Sequence, residues 1–337
     1  MKSYYASKGK GIDAMHIKEH EISEAGNGGV LIRVKAAALN FRELMIINSG
    51  TYPLPIKEPF IPLADGVGEV VSVGEGVTRF KTGDRVAAVV FPEWMDGPFS
   101  LEFSNQLGGS LDGMLTEYKV LPERGLVHIP SHLSWEEAAT FPCAGVTAWN
   151  ALTGSHALLP GETVLTMGTG GVSLFALQFA KLFGAKVIAT TSSNGKIDFL
   201  KNLGADEVIN YVTNPNWNEN VKELTNGMGV DLIVETGGAG TLERSFKSLA
   251  MTGHISLVGW LSKEKPLIDI SAFAATIGSI ERIALGHRRH HIEMNKAVDA
   301  AKLRPVIDKV FPFNEAKKAF QYFAEGKYLG KVVITFD

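Results

Sequence analysis

Residues 163–173 read Thr-Val-Leu-Thr-Met-Gly-Thr-Gly-Gly-Val-Ser, and this stretch decides the fold of the chain. A short apolar strand is followed by a glycine turn, and apolar residues then recur at helical spacing up to Phe183. Gly184 ends this helix, and Lys186–Ala189 reads as a second strand. A glycine turn at the end of a strand lets a pyrophosphate approach the backbone and bind at the N-terminus of the next helix. The stretch therefore predicts a dinucleotide site, and an α/β turn without a nucleotide is the alternative.

The end of the second strand indicates which cofactor binds. A dinucleotide site usually carries Asp or Glu about 20 residues after the glycine turn, where the carboxylate holds a ribose 2′-hydroxyl. Here that position is Thr191, with Ser192 beside it and Lys196 one helical turn further on. Hydroxyl groups and a lysine suit a 2′-phosphate better than a free diol. We therefore expect NADPH as the cofactor.

The chain has 337 residues, of which 45% are hydrophobic and 20% charged, as in a soluble globular protein of about two domains. The formal net charge is −3 and His287–His291 is the only basic cluster, so no nucleic-acid partner is expected. This cluster is interpreted as a solvated helix start rather than a metal or polyanion site.

A single cysteine excludes an internal disulfide framework and fits a cytoplasmic location. Neither a signal peptide nor a bilayer-spanning segment is recognisable, so we expect no membrane partner.

Residues up to about 125 are predicted to be rich in β-strands. Val30–Lys35 alternates apolar and polar residues, Gly68–Gly74 reads as a strand closing in a turn, and Gly83–Phe91 reads as a strand after a tight turn. Glycines and prolines are scattered throughout this region, which indicates a small distorted barrel.

Residues from about 127 to 285 alternate strands with helices, which predicts a parallel, doubly wound sheet. The tail predicts helices near 292–301 and 314–325 and a last strand at 331–336, which should return to the first domain. We therefore expect a first domain at residues 1–126, completed by 286–337, and a second at 127–285. The strands predicted for the second domain are Val164–Met167, Val187–Thr190, Glu207–Asn210, Asp231–Glu235, His254–Val258 and Ser279–Ala284.

This order of segments resembles the medium-chain dehydrogenase/reductase superfamily, in its zinc-independent quinone reductase and enoyl reductase branch. The resemblance covers nearly the whole chain and implies an α/β protein. One domain would be a GroES-like β-barrel catalytic domain built from both ends of the chain, and the other a Rossmann domain with a doubly wound parallel sheet. Besides the glycine turn, the motifs that carry the resemblance are Ala38–Glu43, Gly66–Gly74, Phe80–Val86, Gly113–Tyr118, Pro142–Asn150, Leu203–Tyr211 and Gly330–Ile334.

Zinc alcohol dehydrogenases of this superfamily bind catalytic zinc with a cysteine, a His-Glu pair and a second cysteine. Alignment to the family motifs places Asn40, Ala64-Asp65 and Cys143 at those positions. One thiolate and one carboxylate remain, whereas a tetrahedral site needs at least three protein ligands. The cysteines of the structural zinc site are also missing from residues 91–111. We therefore expect no metal.

The expected absence of zinc limits the reactions that the protein could catalyse. Without a Lewis acid, alcohol oxidation lacks the usual means of lowering the hydroxyl pKa. Reduction of a quinone or an α,β-unsaturated carbonyl is easier, because the carbonyl group takes the charge that the hydride brings. The resemblance thus implies an NADPH-dependent oxidoreductase with a small-molecule substrate. Two alternatives stay open: an alcohol dehydrogenase of the same superfamily and a non-catalytic NADPH-binding protein.

Three residues are candidates for the catalytic site. Tyr52 is similar in position to the tyrosine proposed as proton donor in enoyl thioester reductases, and a residue that only lines the cleft is the alternative. Asn40 resembles the cleft asparagine of quinone reductases, which could polarise a carbonyl group; otherwise it is a turn residue. Arg42 is expected either to meet an anionic group or to pair with Glu43 or Asp65.

The resemblance also implies the cofactor-binding residues. They lie at the pyrophosphate turn, around the ribose phosphate, near the nicotinamide and after the fourth and fifth strands of the sheet. Lys331 matches a C-terminal residue near the cofactor, with an edge-strand charge as the alternative. In that order, the other residues are Gly168, Gly170, Gly171 and Val172; Thr191, Ser192, Lys196 and Tyr211; Thr147; and Gly237 and Gly259.

A homodimer is implied as well. In this branch of the superfamily the last Rossmann strand tends to pair with its two-fold mate, which covers an otherwise open sheet edge. Here that strand is predicted near Ser279–Ala284, where Ile280, Ile283, Ala284 and Leu285 supply apolar side chains; a buried central strand is the alternative, because it would show the same pattern.

Overall fold

The computed structural model describes residues 1–259, 261 and 267–336. The chain forms two units, Met1–Val146 with His287–Asp337 and Thr147–Gly286. No helix among the described residues is long and apolar enough to span a bilayer. The strands are β1 (Lys2–Tyr5), β2 (His16–Glu19), β3 (Gly29–Ala38), β4 (Asp65–Val73), β5 (Arg85–Ala88), β6 (Tyr118–Pro122), β7 (Leu126–His128), β8 (Thr163–Met167), β9 (Lys186–Thr191), β10 (Glu207–Asn210), β11 (Val230–Glu235), β12 (Leu249–Leu257), β13 (Ser279–Arg282), β14 (Ile307–Pro312) and β15 (Lys331–Thr335). The helices are α1 (Phe41–Leu44), α2 (Trp135–Ala139), α3 (Val146–Thr153), α4 (Gly171–Leu182), α5 (Ile197–Asn202), α6 (Trp217–Leu224), α7 (Ala239–Ser248), α8 (Ser271–Ala274), α9 (Arg288–Ala301) and α10 (Ala316–Ala324).

The first unit is built around a sheet in the order β14-β15-β3-β4-β5-β7, with β6 also paired to β3. β15, the last strand of the chain, thus lies between β14 and β3, whereas β1 and β2 form a separate two-stranded sheet. Val34 of β3 and Val332 of β15 are both fully buried in the same apolar core, so both ends of the chain contribute to it. Burial of branched side chains in this shared core, together with the pairing of β15 with β3, joins the two ends.

The register of this sheet brings distant residues to one place. Ala38 lies opposite Val333 of β15 on one side and opposite Asp65 of β4 on the other. The end of β3 therefore meets the beginnings of β4 and β15. Asn40, two residues after Ala38, and Lys331, the first residue of β15, both come within reach of Asp65.

The second unit contains a six-stranded sheet in the order β10-β9-β8-β11-β12-β13, and every strand pair in it is parallel. Its inner strands are buried on both faces, as the consecutive residues Val164 and Leu165 show: they point to opposite faces and neither has exposed surface. The predicted parallel, doubly wound sheet is confirmed. The strand order reverses between β8 and β11, and open sheets of this kind bind ligands at such a switch point, beyond the carboxyl ends of the strands.

Residues 127–146 lie in the first unit, whereas the sequence pattern predicts them in the second domain. β7 pairs with β5 in antiparallel register, and α2 packs against β3 and β4. These pairings hold the segment to the first sheet. A second difference is β14, which the pattern does not predict: most of its side chains are half-buried or exposed, so it lacks a clear apolar signal.

His287–His291 does begin a helix, but the expectation that it is solvated is wrong. His287 precedes α9, accepts a hydrogen bond from the backbone N–H of His290 at 3.1 Å, and stacks on the His290 ring at 3.6 Å. Its other ring nitrogen lies 3.2 Å from Asp96. His291 is 2% exposed, and burial lowers its pKa to about 3. One face of α9 is buried from its first turn, which a run of polar residues does not indicate.

Candidate active site

A buried ion pair lies where β3, β4 and β15 meet. Nζ of Lys331 donates to the backbone oxygen of Leu39 at 2.6 Å, to Oδ1 of Asn40 at 2.5 Å and to Oδ2 of Asp65 at 3.2 Å. Lys331 is 2% exposed and Asp65 is fully buried. The ammonium group therefore has one acceptor for each of its protons, as a buried charge requires. Lys331 is not an edge-strand charge, because β15 lies between β14 and β3.

The amide group of Asn40 is fixed at both ends by this ion pair. Its Oδ1 accepts from Lys331, and its Nδ2 donates to Asp65 at 2.9 Å. The backbone N–H of Asn40 donates to Glu43 at 2.9 Å, at the beginning of α1. Asn40 is therefore a turn residue whose side chain is also held in one orientation. Nδ2 retains a second N–H, which is the donor that a substrate carbonyl would need.

The positions that the family alignment assigns to catalytic zinc hold an unsuitable set of groups. Asn40, Asp65 and Cys143 supply an amide, a carboxylate and a thiol, and the ammonium of Lys331 is already bonded to two of them. Burial raises the pKa of Cys143 far above the ordinary thiol value. An amide side chain at one of the three positions and a centre that already holds a cation do not fit a zinc ion. No group of three His, Cys, Asp or Glu side chains elsewhere in the described residues could hold one either.

Burial also determines the acidity of Asp65. It raises the pKa of the carboxyl group to about 6, against the opposing effects of Lys331 and of the hydrogen bond from Asn40. Oδ1 of Asp65 is buried and has no hydrogen-bond partner among the described residues. One oxygen of the Asp65 carboxylate therefore lacks a hydrogen-bond donor, and burial destabilises the charged form of this side chain.

Arg42 and Glu43 connect this ion pair with Tyr52. Glu43 is 1% exposed, and its Oε1 accepts from Nη1 of Arg42 and from the backbone of Ala64, both at 3.2 Å. Burial works against the charged form of Arg42, but the interactions with Tyr52 and Glu43 outweigh it and raise the pKa of the guanidinium. Of the two expected partners of Arg42, the structure selects Glu43.

Tyr52 lies against Arg42 and against a residue that the sequence did not single out, Gln106. The Tyr52 hydroxyl donates to Oε1 of Gln106 at 3.1 Å and lies 3.4 Å from Nε of Arg42. The guanidinium group is 5.0 Å from the centre of the phenol ring, within range of a cation–π interaction. The structure thus brings the three predicted catalytic residues into one connected group. Gln106 was missed because residues 91–111 contain no family motif.

In the second unit, the glycine turn has the geometry of a phosphate site. Gly168 has a φ of 77°, in the left-handed region, and a Cβ atom placed on Gly168 or Gly170 would meet nothing within 4 Å. Gly171 and Val172 are the first residues of the twelve-residue helix α4, whose N-terminus has no side-chain cap. The backbone N–H groups there have no intrahelical partner, and the space before them is open. These residues fit the pyrophosphate of a nicotinamide cofactor.

The carbonyl group of Met167, at the end of β8, anchors this turn. Ser173, where the motif usually has a third glycine, donates to that oxygen at 2.5 Å and so fastens α4 to the strand. Thr236, which follows β11, donates to the same oxygen at 3.1 Å. The loops after β8 and β11 are therefore joined at the switch point of the sheet.

The residues predicted around the ribose phosphate lie close together. The backbone N–H of Tyr211 donates to the carbonyl oxygen of Thr191 at 3.0 Å, and Ser192 is exposed beside it. Nζ of Lys196 donates to the hydroxyl of Thr169, in the glycine turn, at 3.1 Å. The lysine ammonium thus lies between the end of β9 and the turn, where it can reach a phosphate group.

Close neighbours leave no room for a side chain at Gly237 and Gly259. A Cβ atom on Gly237 would lie 2.3 Å from the hydroxyl oxygen of Thr241, and one on Gly259 would lie 2.3 Å from the carbonyl oxygen of Thr236. Sequence reasoning missed Glu235, which is fully buried and accepts from the backbone of Gly237 at 2.7 Å. The available signal was a carboxylate at the end of an apolar strand, a place where it can cap the following loop.

Two further predicted positions lie in the second unit. Thr147 is 4% exposed in the first turn of α3. β13 is the outermost strand and is paired on one side with β12, so its other edge carries no strand of this chain among the described residues. It ends at Arg282, two residues before the predicted end.

Two family models match the chain. The model of the alcohol dehydrogenase GroES-like domain matches residues 26–131, and the model of zinc-binding dehydrogenases matches residues 171–302. The predicted combination of a GroES-like domain and a Rossmann-type domain is therefore confirmed.

The chain is also similar to known proteins over nearly its whole length. It is 42% identical over 335 residues to a zinc-type alcohol dehydrogenase-like protein of Schizosaccharomyces pombe, which covers 97% of this chain and 96% of that protein. The solved structure of an NAD-dependent alcohol dehydrogenase matches with a TM-score of 0.90 at 34% identity, covering 99% of both chains. A quinone oxidoreductase of Pseudomonas syringae pv. tomato matches with a TM-score of 0.82 at 29% identity, again over 99% of both chains.

These relatives are oxidoreductases that differ in substrate. Their shared fold binds a nicotinamide cofactor at the carboxyl ends of the parallel strands, where this chain has an open glycine turn. The protein is therefore an oxidoreductase, and the chain belongs to the medium-chain dehydrogenase/reductase superfamily.

Proposed function

We propose that this protein reduces quinones or α,β-unsaturated carbonyl compounds with NADPH and without zinc. The observation that carries the proposal is the position of the Lys331 ammonium, 2.5 Å from Asn40 and 3.2 Å from Asp65. The Lys331 ammonium and the Asn40 amide lie where ligands of the metal would otherwise be. Oxidation of an alcohol needs a group that lowers the hydroxyl pKa, and reduction of an activated double bond does not.

The preference for NADPH rests on the end of β9. Thr191, Ser192 and Lys196 present hydroxyl groups and a cation where a carboxylate would otherwise bind the ribose diol. Lys196 already lies 3.1 Å from Thr169 and so near the glycine turn. A charge-assisted contact to a 2′-phosphate is stronger than one to a neutral hydroxyl.

The residues of the first unit supply the proton and the polarisation. When bound, the reduced nicotinamide provides a hydride to the electron-poor carbon. The remaining N–H of Asn40 Nδ2 donates a hydrogen bond to the substrate carbonyl oxygen, since the orientation of the amide is fixed by Lys331 and Asp65. Tyr52 gives its hydroxyl proton to the same oxygen, and the electron pair of the broken O–H bond stays on the phenol oxygen.

An alcohol dehydrogenase is the second candidate. It is favoured by the similarity to the NAD-dependent alcohol dehydrogenase, at 34% identity over 99% of the chain. A non-catalytic NADPH-binding protein is the third alternative. All three predict cofactor binding, so binding alone does not separate them.

A substrate panel with both cofactors tests the proposal. Purified protein is assayed with quinones, enones and alcohols, each with the phosphorylated and the unphosphorylated nicotinamide, and its zinc content is measured by elemental analysis. We expect turnover of quinones or enones with NADPH, no stoichiometric zinc, and no loss of activity with a chelator. About one zinc per chain together with alcohol oxidation would establish the second candidate. Tight NADPH binding without turnover would establish the third.

A further inference from the structure

Gln106 accepts two hydrogen bonds on one oxygen, from the proposed proton donor and from its neighbouring cation. Its Oε1 lies 3.1 Å from the hydroxyl of Tyr52 and 2.8 Å from Nη2 of Arg42. Gln106 is fully buried. The guanidinium of Arg42 can only donate, so the amide atom that faces it must be the oxygen of Gln106. A nitrogen at this place would face the N–H of Arg42 and the O–H of Tyr52.

The segment that carries Gln106 is held rigidly. A Cβ atom on Gly109 would lie 2.8 Å from Cγ of Gln106, so the backbone packs directly against this side chain. The hydroxyl of Ser110 accepts from the Gln106 backbone at 3.1 Å, and the next carbonyl group, that of Leu107, accepts from Nη1 of Arg42 at 3.0 Å. Arg42 is therefore bound to two consecutive residues of this segment.

All three nitrogens of the planar Arg42 guanidinium have hydrogen-bond partners. Nη2 bonds to Gln106, Nη1 to Leu107 and Glu43, and Nε points to the Tyr52 oxygen at 3.4 Å. The rigid fork of an arginine can make these contacts together, and the single ammonium of a lysine cannot. Gln106 and Leu107 thus fix the cation beside the phenol.

We propose that Gln106 and Arg42 are positioning residues for proton transfer from Tyr52, an inference that rests on the proposed reductase function. In the resting protein the Tyr52 hydroxyl donates to Gln106. During the reaction the O–H bond breaks and the proton goes to the carbonyl oxygen of the substrate. The negative charge left on the phenol oxygen is then stabilised by Arg42, which Gln106 holds in place. Solvent later returns a proton to Tyr52.

The replacement Gln106→Glu tests this inference. A glutamate has nearly the same shape and accepts from both Arg42 and Tyr52, but its carboxylate neutralises the cation and repels a phenolate. We expect kcat for an enone to fall roughly 10- to 100-fold at neutral pH, with little change in KM. The high-pH limb of the kcat profile should move upward, and quinone turnover should fall less. Asn105→Asp makes the same charge change one residue earlier, at an exposed side chain, and should leave the ratio of enone to quinone turnover unchanged.

The same replacement in the Tyr52→Phe background separates positioning from a general structural effect. If Gln106 acts through Tyr52, Gln106→Glu should cause no further loss there. An equal proportional loss in both backgrounds would overturn the inference. Arg42→Lys, which keeps the charge without the fork, should behave like Gln106→Glu on enones.

A spectroscopic readout keeps this test independent of the proposed reaction. The tyrosinate absorbance of Tyr52, taken as the difference between the protein and its Tyr52→Phe variant, can be titrated without a substrate. Gln106→Glu should move that titration to higher pH. If the protein reduces no enone but the titration moves, the proposed function fails and the pairing of the three side chains stands. If the titration does not move, the positioning role is wrong.

Discussion

The ammonium nitrogen of Lys331 lies 2.5 Å from the side-chain oxygen of Asn40, although 291 positions separate the two residues in the chain. The sequence had assigned them different tasks, Asn40 to the substrate and Lys331 to the cofactor. In the structure they share one buried network with Asp65, and that network fixes the amide that would polarise a carbonyl group. The role of Lys331 in this unit is therefore to orient Asn40 and to balance the charge of Asp65.

Replacing Lys331 with Met should destabilise the protein by about 3–5 kcal/mol near neutral pH, because the buried charge of Asp65 loses its partner. The pKa of Asp65 is about 6 in the folded protein and about 4 in the unfolded chain. Ionisation of this carboxyl group therefore lowers the free energy of unfolding as the pH rises from about 4 to about 6. The loss caused by Lys331→Met should therefore shrink when the pH is lowered through about 6. Urea unfolding at several pH values measures it. Lys327→Met, at a side chain 82% exposed, is the matched control and should change the free energy of unfolding by less than about 0.5 kcal/mol. Equal stability of the two variants would contradict the buried pair.

Lys196→Ala should weaken NADPH binding by about 1–2 kcal/mol and leave NADH binding nearly unchanged, since one charge-assisted contact to the 2′-phosphate is lost. Titration calorimetry with each cofactor measures the difference. Lys201→Ala, on α5, removes the same charge from an exposed position and serves as the control. An equal loss for both cofactors would assign Lys196 to the pyrophosphate, near Thr169, instead of the ribose phosphate.

Tyr52→Phe should lower kcat for enones by roughly 10²–10⁴-fold, the usual range for loss of a general acid. The effect on quinones should be smaller, because quinones are better hydride acceptors and can take protons from water. Steady-state kinetics with both substrate classes, and the Kd of NADPH as a binding control, provide the measurement. Full activity of the variant on both classes would leave Tyr52 as a residue that lines the site.

Acid should destabilise the first unit through His291. Burial lowers the pKa of this imidazole to about 3, while the unfolded chain takes up its proton at about pH 6.5. Neutral His291 therefore contributes fully to the free energy of unfolding above its unfolded pKa. This contribution is lost as the pH falls toward the folded pKa, by up to about 1.4 kcal/mol per pH unit. His291→Leu should flatten this slope in denaturant unfolding curves. A slope that is unchanged in the variant would show that other groups cause the acid sensitivity.

We also expect a homodimer that pairs through β13. Its outer edge pairs with no strand in the part of the chain that the structure describes, and Ile280 in this strand is 38% exposed. Light scattering at micromolar concentration should give twice the chain mass, and Ile280→Glu should shift it toward the monomer. Ile17→Glu, at an exposed side chain of β2 in the first unit, should not. A monomeric parent protein would refute the proposed pairing.

Much of the fold could be predicted because its signals are local. The strand, glycine turn and helix around Gly168 follow from periodicity and from the conformational freedom of glycine. The contacts of Gln106 could not be predicted, because they depend on a tertiary approach to Arg42 from a segment without a motif. The burial of Lys331 was hidden for a related reason: a lysine at the start of a strand reads as a surface charge unless its distant acceptors are known. His291 shows the reverse, since a polar run concealed a buried position.

The central place of β15 in its sheet has a consequence for protein synthesis. The second unit has all its residues once position 286 has left the ribosome, whereas Asp65 has no cation until Lys331 has been made. While more than half of the chain is still being added, the edge of β3 that pairs with β15 therefore has no partner strand there. During the same time the carboxylate of Asp65 has no compensating charge from Lys331. A nascent chain that stops before β15 would expose that edge to other chains, and unpaired strand edges of this kind promote aggregation.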